Sequence, residues 1–436
     1  MEQIKKIIGG VEIPQAIVKN IQEKVKSISD FKKIIEASLG KITTELLNII
    51  LVGSINLDSS DIHIEPEKER AKLRIRIDGL LQDVLFFDLK IHQSLVSRIK
   101  LLSELKLNVS DRPQDGRFSI LLEKTPIEIR ASSLPAEYGE SVVLRILNPK
   151  SLIDVETLGL REDLVKIFNK EITKPNGMII VTGPTGSGKT TTLYAVLKKI
   201  NQPEVKIITI EDPIEYHLEG ISQTQADPKK GYDFASGLRS IMRQDPDVIL
   251  IGEIRDFETA KIALQAALTG HLVLSTLHTN DAAGTIVRFQ ALGEKSTNIA
   301  PAINMVIAQR LVRKVCQKCL RLEKISPENF QKTKKALKGL PKEIKIPALT
   351  AATTIPKAKG CKQCNITGYK GRLGIFEFFL VDDEMEKFIL TSSSIGALRR
   401  KAIQKGMVSM RQDGFIKLLE GLTTIEEIER VTAEQT

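Results

Sequence analysis

The chain of 436 residues contains no tryptophan, and aromatic residues make up only 4% of it. Proteins that bind single-stranded nucleic acid stack bases on aromatic side chains, so this shortage argues against a dedicated nucleic-acid role. No apolar run approaches the roughly 18 to 20 residues that span a bilayer. The first residues, MEQIKK, do not resemble a secretory signal. We therefore expect a cytoplasmic protein without a membrane-spanning segment.

Cysteine is also scarce, and the four cysteines form two C-x-x-C pairs, Cys316 with Cys319 and Cys361 with Cys364. In a reducing compartment such pairs indicate metal binding rather than disulfides. Four thiolates suit a closed, tetrahedral Zn²⁺ site. The 41 residues between the pairs exceed a compact zinc ribbon. Four free buried thiols therefore remain the alternative.

The bulk composition is that of a globular protein. Hydrophobic residues make up 42% of the chain, which at this length predicts two or three domains with their own cores. The 64 Lys and Arg exceed the 54 Asp and Glu, for a net charge of +10. Such an excess is typical of proteins that bind phosphates, nucleic acid or an anionic membrane surface.

A complete phosphate-binding loop, GPTGSGKT, occupies residues 183–190, between the apolar run 178–181 and a helical pattern. Backbone N–H groups of such a loop cradle phosphates, Lys189 reaches the β and γ oxygens, and the Thr190 hydroxyl ligates Mg²⁺. The loop predicts a nucleoside triphosphate and Mg²⁺ as ligands. The candidate binding residues are Gly183, Pro184, Thr185, Gly186, Ser187, Gly188, Lys189, Thr190 and Thr191.

The hydrophobic pattern divides the chain into regions. Apolar residues at helical spacing (17, 21, 25 and 28) predict a helical segment over 1–40, and alternating runs near 61–65, 73–79, 127–132 and 141–147 predict an α+β domain over 41–150. Strand-like runs at 178–182, 206–211, 247–252 and 271–276 alternate with helical stretches and predict a parallel sheet covered on both faces over 151–315. A Lys-, Pro- and Thr-rich region follows Cys316, and the last helical segments fall near 384–390, 396–405 and 414–431.

Polar residues at the ends of these strands are candidates for catalysis. Glu253 ends an apolar strand about sixty residues after the phosphate loop, so we expect it to hold Mg²⁺ directly or through water. Glu211 ends another strand, where it orients or deprotonates the attacking water or belongs to a solvated acidic turn. His271 and His278 bracket a third strand, where either senses the γ-phosphate or has a purely structural role.

Three segments identify a resemblance: EDPIEY (211–216), RQDPD to GEIRD (243–256) and TGH to STLHTN (269–280). They resemble the Asp box, Walker B and His box of the secretion ATPase superfamily, and from about residue 45 onwards the chain looks like the type II secretion and type IV pilus assembly ATPases. The resemblance implies a RecA-like ATPase core and an N-terminal PAS-like α+β domain. It also implies a tetracysteine zinc subdomain over 316–365 and a helical region over 366–436. Members with this subdomain assemble rather than retract filaments.

The resemblance also implies a function and roles for residues. Glu211 corresponds to the proposed catalytic base, Glu253 to the Mg²⁺-linked acid and His278 to the His-box residue. Arg117, Arg130 and Arg145 match arginines that reach ATP when the N-terminal domain closes, although pairing on a sheet face remains the alternative. The implied protein is a cytoplasmic hexamer, peripheral to the inner membrane, that drives pilin or pseudopilin assembly through a platform protein. Many relatives dock through a longer N-terminal domain, and only about forty residues precede the shared region here.

Two other functions stay open. The net charge of +10 fits a DNA-translocating or conjugative ATPase, for which DNA would stimulate hydrolysis in a salt-sensitive way. A nucleotide-sensing scaffold would bind ATP without turnover. The presence of Lys189, Glu211, Glu253 and His278 argues against the scaffold, because a chain that only senses nucleotide is expected to have lost one of them.

Overall fold

The computed structural model describes residues 10–123, 125–392 and 394–433. The chain forms two compact units: the first runs through residue 151 and also includes 316–319 and 359–370, and the second contains 152–315, 320–358 and the residues from 371 onwards. Both cysteine pairs therefore lie in the first unit, although the residues between 320 and 358 belong to the second. In the part of the chain described here, no helix combines the length and apolarity needed to cross a membrane.

In its described residues, the first unit contains a seven-stranded sheet and four α-helices. Its elements are β1 (Gly10–Glu12), α1 (Gln15–Lys24), α2 (Ile28–Glu36), α3 (Thr43–Asn56), β2 (Asp61–Pro66), β3 (Ala71–Ile77), β4 (Leu80–Phe87), α4 (Leu89–Leu102), β5 (Gln114–Leu122), β6 (Thr125–Ala136) and β7 (Gly139–Leu147). The strand order is β1-β5-β6-β7-β2-β3-β4, and all neighbours are antiparallel except β1 and β5. Alternate residues of β3 are buried, so one face of the sheet is apolar and the other carries charged side chains.

Two local features of this unit differ from the sequence-based prediction. The apolar spacing at 17, 21, 25 and 28 continues across a break, because Ser27 is the N-cap of α2 and accepts a hydrogen bond from the backbone N–H of Asp30. The strand expected to reach residue 79 ends at Ile77. Asp78 and Gly79 both have positive φ and form the two-residue turn between β3 and β4.

The second unit alternates strands with helices as the sequence predicted. Its helices are α5 (Glu162–Ile172), α6 (Lys189–Ile200), α7 (Phe234–Ile241), α8 (Phe257–Leu268), α9 (Ala282–Leu292), α10 (Ser296–Ala302), α11 (Pro327–Ala336), α12 (Asp383–Thr391), α13 (Ile395–Gln404), α14 (Met410–Leu419) and α15 (Ile425–Thr432). Its strands are β8 (Gly177–Thr182), β9 (Ile207–Glu211), β10 (Ser222–Gln225), β11 (Val248–Ile251), β12 (Leu272–Leu277), β13 (Ile303–Val315), β14 (Arg321–Lys324), β15 (Thr354–Lys357) and β16 (Tyr369–Leu380).

A second seven-stranded sheet has the order β10-β9-β11-β12-β8-β13-β16, and β14 pairs with β15 in a separate two-stranded antiparallel sheet. The first six strands in this order, β10, β9, β11, β12, β8 and β13, pair in parallel. Strands β8, β11 and β12 are buried along their whole length. Helices cover both faces of the sheet with apolar clusters. The predicted α/β fold with a parallel sheet is confirmed.

The sequence analysis missed three strands of this sheet. β13 contains Gln309, Arg310 and Arg313 among its apolar residues, so it does not read as a continuous buried run. β16 lies at the start of the region predicted to be helical, and β10 is short and polar. The helix expected over 414–431 is two helices, because Thr424 caps the start of α15.

A buried group of charges joins the segment before α5 to α14. The Asp413 carboxylate is fully buried and accepts hydrogen bonds from Arg161 Nη1 at 2.5 Å, Lys417 Nζ at 2.7 Å and the Phe376 N–H at 2.8 Å. Arg161 also binds Asp163, whose side chain is 36% exposed. Because two cations share this enclosed carboxylate, removing its charge leaves the buried Lys417 ammonium without its carboxylate partner and leaves Arg161 with Asp163 alone.

We expect Asp413→Asn to lower the free energy of unfolding by about 3 to 5 kcal/mol, since it leaves the buried charge of Lys417 uncompensated. Asp163→Asn is the matched control and should cost less than about 1 kcal/mol, because that carboxylate is partly solvated. Urea unfolding followed by circular dichroism measures both changes. Equal effects of the two substitutions would contradict this account.

Candidate active site

The phosphate loop connects β8 to α6. Lys189 is the first residue of α6, and its buried Nζ donates hydrogen bonds to the carbonyl oxygens of Gly183 at 2.9 Å and Pro184 at 3.2 Å. Gly183 has φ +148°, and a Cβ there would lie 2.4 Å from the Gln309 carbonyl oxygen. Gly188 precedes α6 in a left-handed conformation. The loop therefore has the tight backbone that phosphate binding requires.

The other predicted loop residues lie where the motif requires them. Pro184, Thr185 and Gly186 are exposed at the tip of the loop, and Ser187 is buried beneath it. Thr190 is exposed in the first turn of α6, where its hydroxyl is available to a cation. Thr191 is half-buried in the same turn.

The strand register brings the loops after β8, β9, β11 and β12 to one edge of the sheet. Ile251 pairs with Ile210 on one side and with Ser275 on the other, and Leu277 pairs with Thr182 just before the phosphate loop. In open α/β sheets, ligands bind at this carboxyl edge.

Glu253 lies close to two other candidate residues at this edge. Its carboxylate is 13% exposed and lies 2.5 Å from Arg255 Nη2 and 3.8 Å from His278 Nε2. Burial lowers the pKa of Lys189, and the Glu253 carboxylate opposes this shift. Glu253 and His278 therefore lie side by side, and both are close enough to Lys189 for its charge to act on them.

The two histidines differ in position. The pKa of His278 is lowered, and burial is the largest cause. The positive charges of Lys189 and Arg255 lower this pKa further, whereas the Glu253 carboxylate raises it. A neutral imidazole has one N–H to donate, so His278 has the chemistry of a phosphate-oxygen donor. His271 precedes β12 at the opposite edge of the sheet, where Nδ1 lies 3.1 Å from the Ala266 carbonyl oxygen. The prediction that His271 senses the γ-phosphate is wrong, because this residue lies at the opposite end of the strands from the phosphate loop.

Glu211 has a different environment from Glu253. Its carboxylate is 3% exposed and accepts hydrogen bonds from Tyr194 Oη, from Thr209 Oγ1 at 2.6 Å and from Gln223 Nε2 at 3.3 Å. Glu211 is therefore not part of a solvated acidic turn, which was the alternative prediction for this residue. Three protein donors occupy most of its acceptor sites, and the side chain is almost completely buried.

Threonine hydroxyls join the loops of the site, and the sequence analysis missed them. Thr182 Oγ1 donates to the Leu277 carbonyl oxygen at 2.9 Å and accepts from the Thr279 N–H at 2.9 Å. Thr276 Oγ1 donates to the Gly252 carbonyl oxygen at 2.7 Å. A threonine at the end of an otherwise apolar strand is the signal that could have found them. These bonds hold the phosphate loop, the Walker B end and the His box in fixed positions.

The three predicted arginines occupy one row of the first unit's sheet. Arg117, Arg130 and Arg145 are direct partners on β5, β6 and β7, and the row continues through Asp61 on β2 to Arg76 on β3. The buried Asp61 carboxylate lies 3.1 Å from Arg145 Nε and 3.3 Å from Arg76 Nε. Residues paired in this way project from the same face of a sheet. The sequence analysis did not identify Arg76 or Asp61 as candidate site residues.

The four cysteine sulfurs form one cluster, and none of them is in a disulfide. All Sγ atoms lie within 4.8 Å of one another, and Cys316–Cys361, Cys319–Cys364 and Cys361–Cys364 are separated by 3.9, 3.8 and 3.7 Å. A tetrahedron with metal–sulfur bonds of about 2.3 Å has edges of about 3.8 Å. Backbone N–H groups of Cys361 and Gly368 point at the Cys364 sulfur, at 3.1 and 3.2 Å. The cluster therefore fits a divalent metal.

The second cysteine loop also contacts the N-terminal helices. Asn365, at φ +50°, accepts a hydrogen bond from the Ile28 N–H at 2.7 Å, and Lys362 Nζ lies 3.1 Å from the Asp30 carboxylate. The loop therefore caps the start of α2 from more than 300 residues away in sequence. No local pattern indicates such a contact.

A buried parallel sheet whose strand β8 leads into a phosphate loop, with a carboxylate and a histidine on neighbouring strand ends, defines a P-loop nucleotide hydrolase. The family model described as Type II/IV secretion system protein matches residues 36–430, and the chain belongs to this family.

The chain is similar to curated proteins and to a solved structure. It is 46% identical to the type II secretion system protein E of Dickeya dadantii (strain 3937), over 89% of this chain and 76% of that protein. It is 38% identical to the type IV pilus assembly ATPase PilB of Myxococcus xanthus (strain DK1622), over 99% and 74%. The crystal structure of the pilus retraction motor PilT with bound ADP matches with a TM-score of 0.58 and 26% identity, over 88% of this chain and 95% of that one. The predictions of the family and of an ATP-hydrolysing enzyme are confirmed.

We expect Gly183→Ala to weaken nucleotide binding about tenfold, because the strain of a positive φ and the contact with Gln309 both displace the loop. Binding of a fluorescent ATP analogue measures the change. Gly231→Ala is the control, since Gly231 has φ +73° and a Cβ added there would have no atom within 4 Å. Unchanged binding in Gly183→Ala would show that the loop tolerates the displacement.

Proposed function

We propose that this chain is the subunit of a hexameric motor that hydrolyses ATP to drive assembly of a type IV pilus or a type II secretion pseudopilus. The observation that carries the proposal is the meeting of Lys189, Glu253 and His278 at one sheet edge in a member of the Type II/IV secretion system protein family. Relatives named for type II secretion and for pilus assembly support it. The motor acts through a platform protein at the cytoplasmic face of the inner membrane and moves pilin or pseudopilin indirectly.

In the proposed reaction, Lys189 and the loop N–H groups hold the β- and γ-phosphates, and Thr190 and Glu253 would hold Mg²⁺, which would neutralise charge on these phosphates. His278 donates to a γ-phosphate oxygen, because burial and its cationic neighbours favour the neutral ring. Arg117, Arg130 and Arg145 neutralise charge on the transferring phosphoryl group. Their common face on one sheet supports a joint role. The role of Glu211 as catalytic base remains a prediction.

We further propose that the cysteine cluster holds Zn²⁺ in a structural role. Four thiolates without an additional protein ligand favour zinc over harder cations. The metal would fix the loop that carries Asn365 and Lys362 and so hold the start of α2. The chemistry it supplies is cross-linking rather than catalysis.

DNA translocation is the second candidate function, and the net charge of +10 is the observation that favours it. The charge is unevenly spread, because residues 316–370 contain 13 Lys and Arg against 3 Glu. The rest of the chain has equal numbers of acidic and basic residues. Since the excess belongs to the cysteine-bearing region and not to the ATPase core, an assembly motor fits the charge better than a DNA-tracking core does.

We expect wild-type protein to hydrolyse ATP and Glu253→Gln to reduce kcat by at least about a hundredfold, because it removes the carboxylate beside the phosphates. Glu258→Gln is the control, since Glu258 is an exposed residue of α8 that pairs with Arg239. Steady-state assays with a cytosolic platform fragment or with duplex DNA separate the two functions. Stimulation by the fragment alone supports the motor, and salt-sensitive stimulation by DNA alone supports the translocase.

We expect purified protein to contain about one zinc ion per chain and Cys364→Ser to lose it, because one thiolate of four is removed. Inductively coupled plasma mass spectrometry measures the content. Gln363→Ser is the matched control in the same loop, because Gln363 is exposed and is not one of the four sulfur ligands. Metal-free wild-type protein from zinc-supplemented cells would contradict the assignment.

A further inference from the structure

We propose that Tyr194 and Glu211 form a positioning pair that fixes the acidic turn 211–218 to the phosphate-loop helix. The inference deepens the proposed function and rests on ATP hydrolysis at this site. It assigns Glu211 an indirect role in place of the predicted role as base.

Tyr194 belongs to α6, the helix that begins with Lys189. Its side chain is 1% exposed, and its hydroxyl donates to Glu211 Oε2. The Tyr194 hydroxyl oxygen also accepts hydrogen bonds from the N–H groups of Glu215 at 3.2 Å and Tyr216 at 3.5 Å. One hydroxyl group therefore joins the phosphate-loop helix both to the start of the acidic turn and to its later residues.

Glu211 is held from the sheet side as well. Thr209 Oγ1, two residues earlier on β9, lies 2.6 Å from Oε1, and Gln223 Nε2 on β10 lies 3.3 Å from the same atom. With donors on both oxygens and 3% exposure, this carboxylate has the environment of a structural anchor. A general base must instead come within hydrogen-bond reach of the water it deprotonates.

Gln223 extends the contact through the turn. Its Nε2 also donates to the Tyr216 carbonyl oxygen at 3.0 Å, and its Oε1 accepts from the Leu218 N–H at 2.7 Å. The rings of Tyr194 and Tyr216 meet edge to face with centroids 6.1 Å apart. Tyr194, Glu211 and Gln223 thus attach the turn to the helix and the sheet.

Glu253 has the properties that Glu211 lacks. It lies on the loop after β11, is 13% exposed, and has Arg255 and His278 beside it. Gly252 allows the ends of β9 and β11 to lie close together, because a Cβ at this position would lie only 3.3 Å from the Glu211 Cα. A shift of the turn would therefore reach Glu253 directly, which is how Glu211 and Tyr194 influence the reaction without contact with ATP.

The test compares steady-state kcat and KM of wild type, Tyr194→Phe, Glu211→Gln and Glu253→Gln. We expect Tyr194→Phe and Glu211→Gln each to lower kcat about tenfold with little change in KM, because geometry and not binding is lost. The kcat of the double variant should be close to that of either single variant, because both substitutions disrupt the same contact between Tyr194 and Glu211. Glu253→Gln should lose at least about a hundredfold. Tyr232→Phe is the control, because it removes a hydroxyl that contacts Thr224 and no carboxylate.

Two kinetic results would overturn the inference: wild-type kcat in Tyr194→Phe, or a loss in Glu211→Gln as large as that in Glu253→Gln. Hydrogen exchange keeps the inference separate from the proposed function. Tyr194→Phe should speed exchange of the amides of 212–218 relative to Tyr232→Phe, and unchanged exchange would overturn the pair. If wild type has no ATPase activity, the proposed function fails, while faster exchange in Tyr194→Phe still supports the positioning contact. Thr209→Val, which removes one other donor, should give a smaller effect in both assays.

Discussion

The register of the parallel sheet in the second unit is the constraint on which the site depends. Strands β8, β11 and β12 are buried on both faces and run in the same direction, so their carboxyl ends meet at one edge. Lys189 and Glu253 are 64 residues apart along the chain, and Glu253 and His278 follow different strands, so they become neighbours only through this pairing. A shift of one residue in β12 would move His278 away from Glu253 and exchange the side chains that face the two helical layers.

Burial gives the two carboxylates at this edge different environments. Glu211 and Glu253 both follow apolar strands, and in sequence they look equivalent. In the structure, hydrogen bonds from Tyr194, Thr209 and Gln223 enclose one of them, whereas the other remains partly exposed beside Lys189 and His278. Hydrogen-bond saturation fixes a carboxylate, and partial exposure leaves one available for a cation or water.

Much of the fold could be predicted from short-range patterns. The four strands near 178, 207, 248 and 272 were found because apolar residues are consecutive where both faces are covered. Strand β13 was missed, since Gln309 and Arg310 interrupt that pattern although both are buried. The division between α1 and α2 was missed too, because apolar spacing continues across Ser27. Period and propensity describe local segments, and they carry no information about which distant strand supplies the neighbouring backbone.

The sequence by itself determined the chemistry available: a phosphate loop, two strand-end carboxylates, a His box, three arginines and two cysteine pairs. These depend on residue type and local spacing, which one chain displays directly. Tertiary structure alone decided that the four sulfurs meet within 4.8 Å, that the arginines form one row, and that Asn365 caps α2. It also decided that Tyr194 holds Glu211. The physical reason is that hydrogen bonding and burial act between atoms close in space, and folding sets those distances independently of separation along the chain.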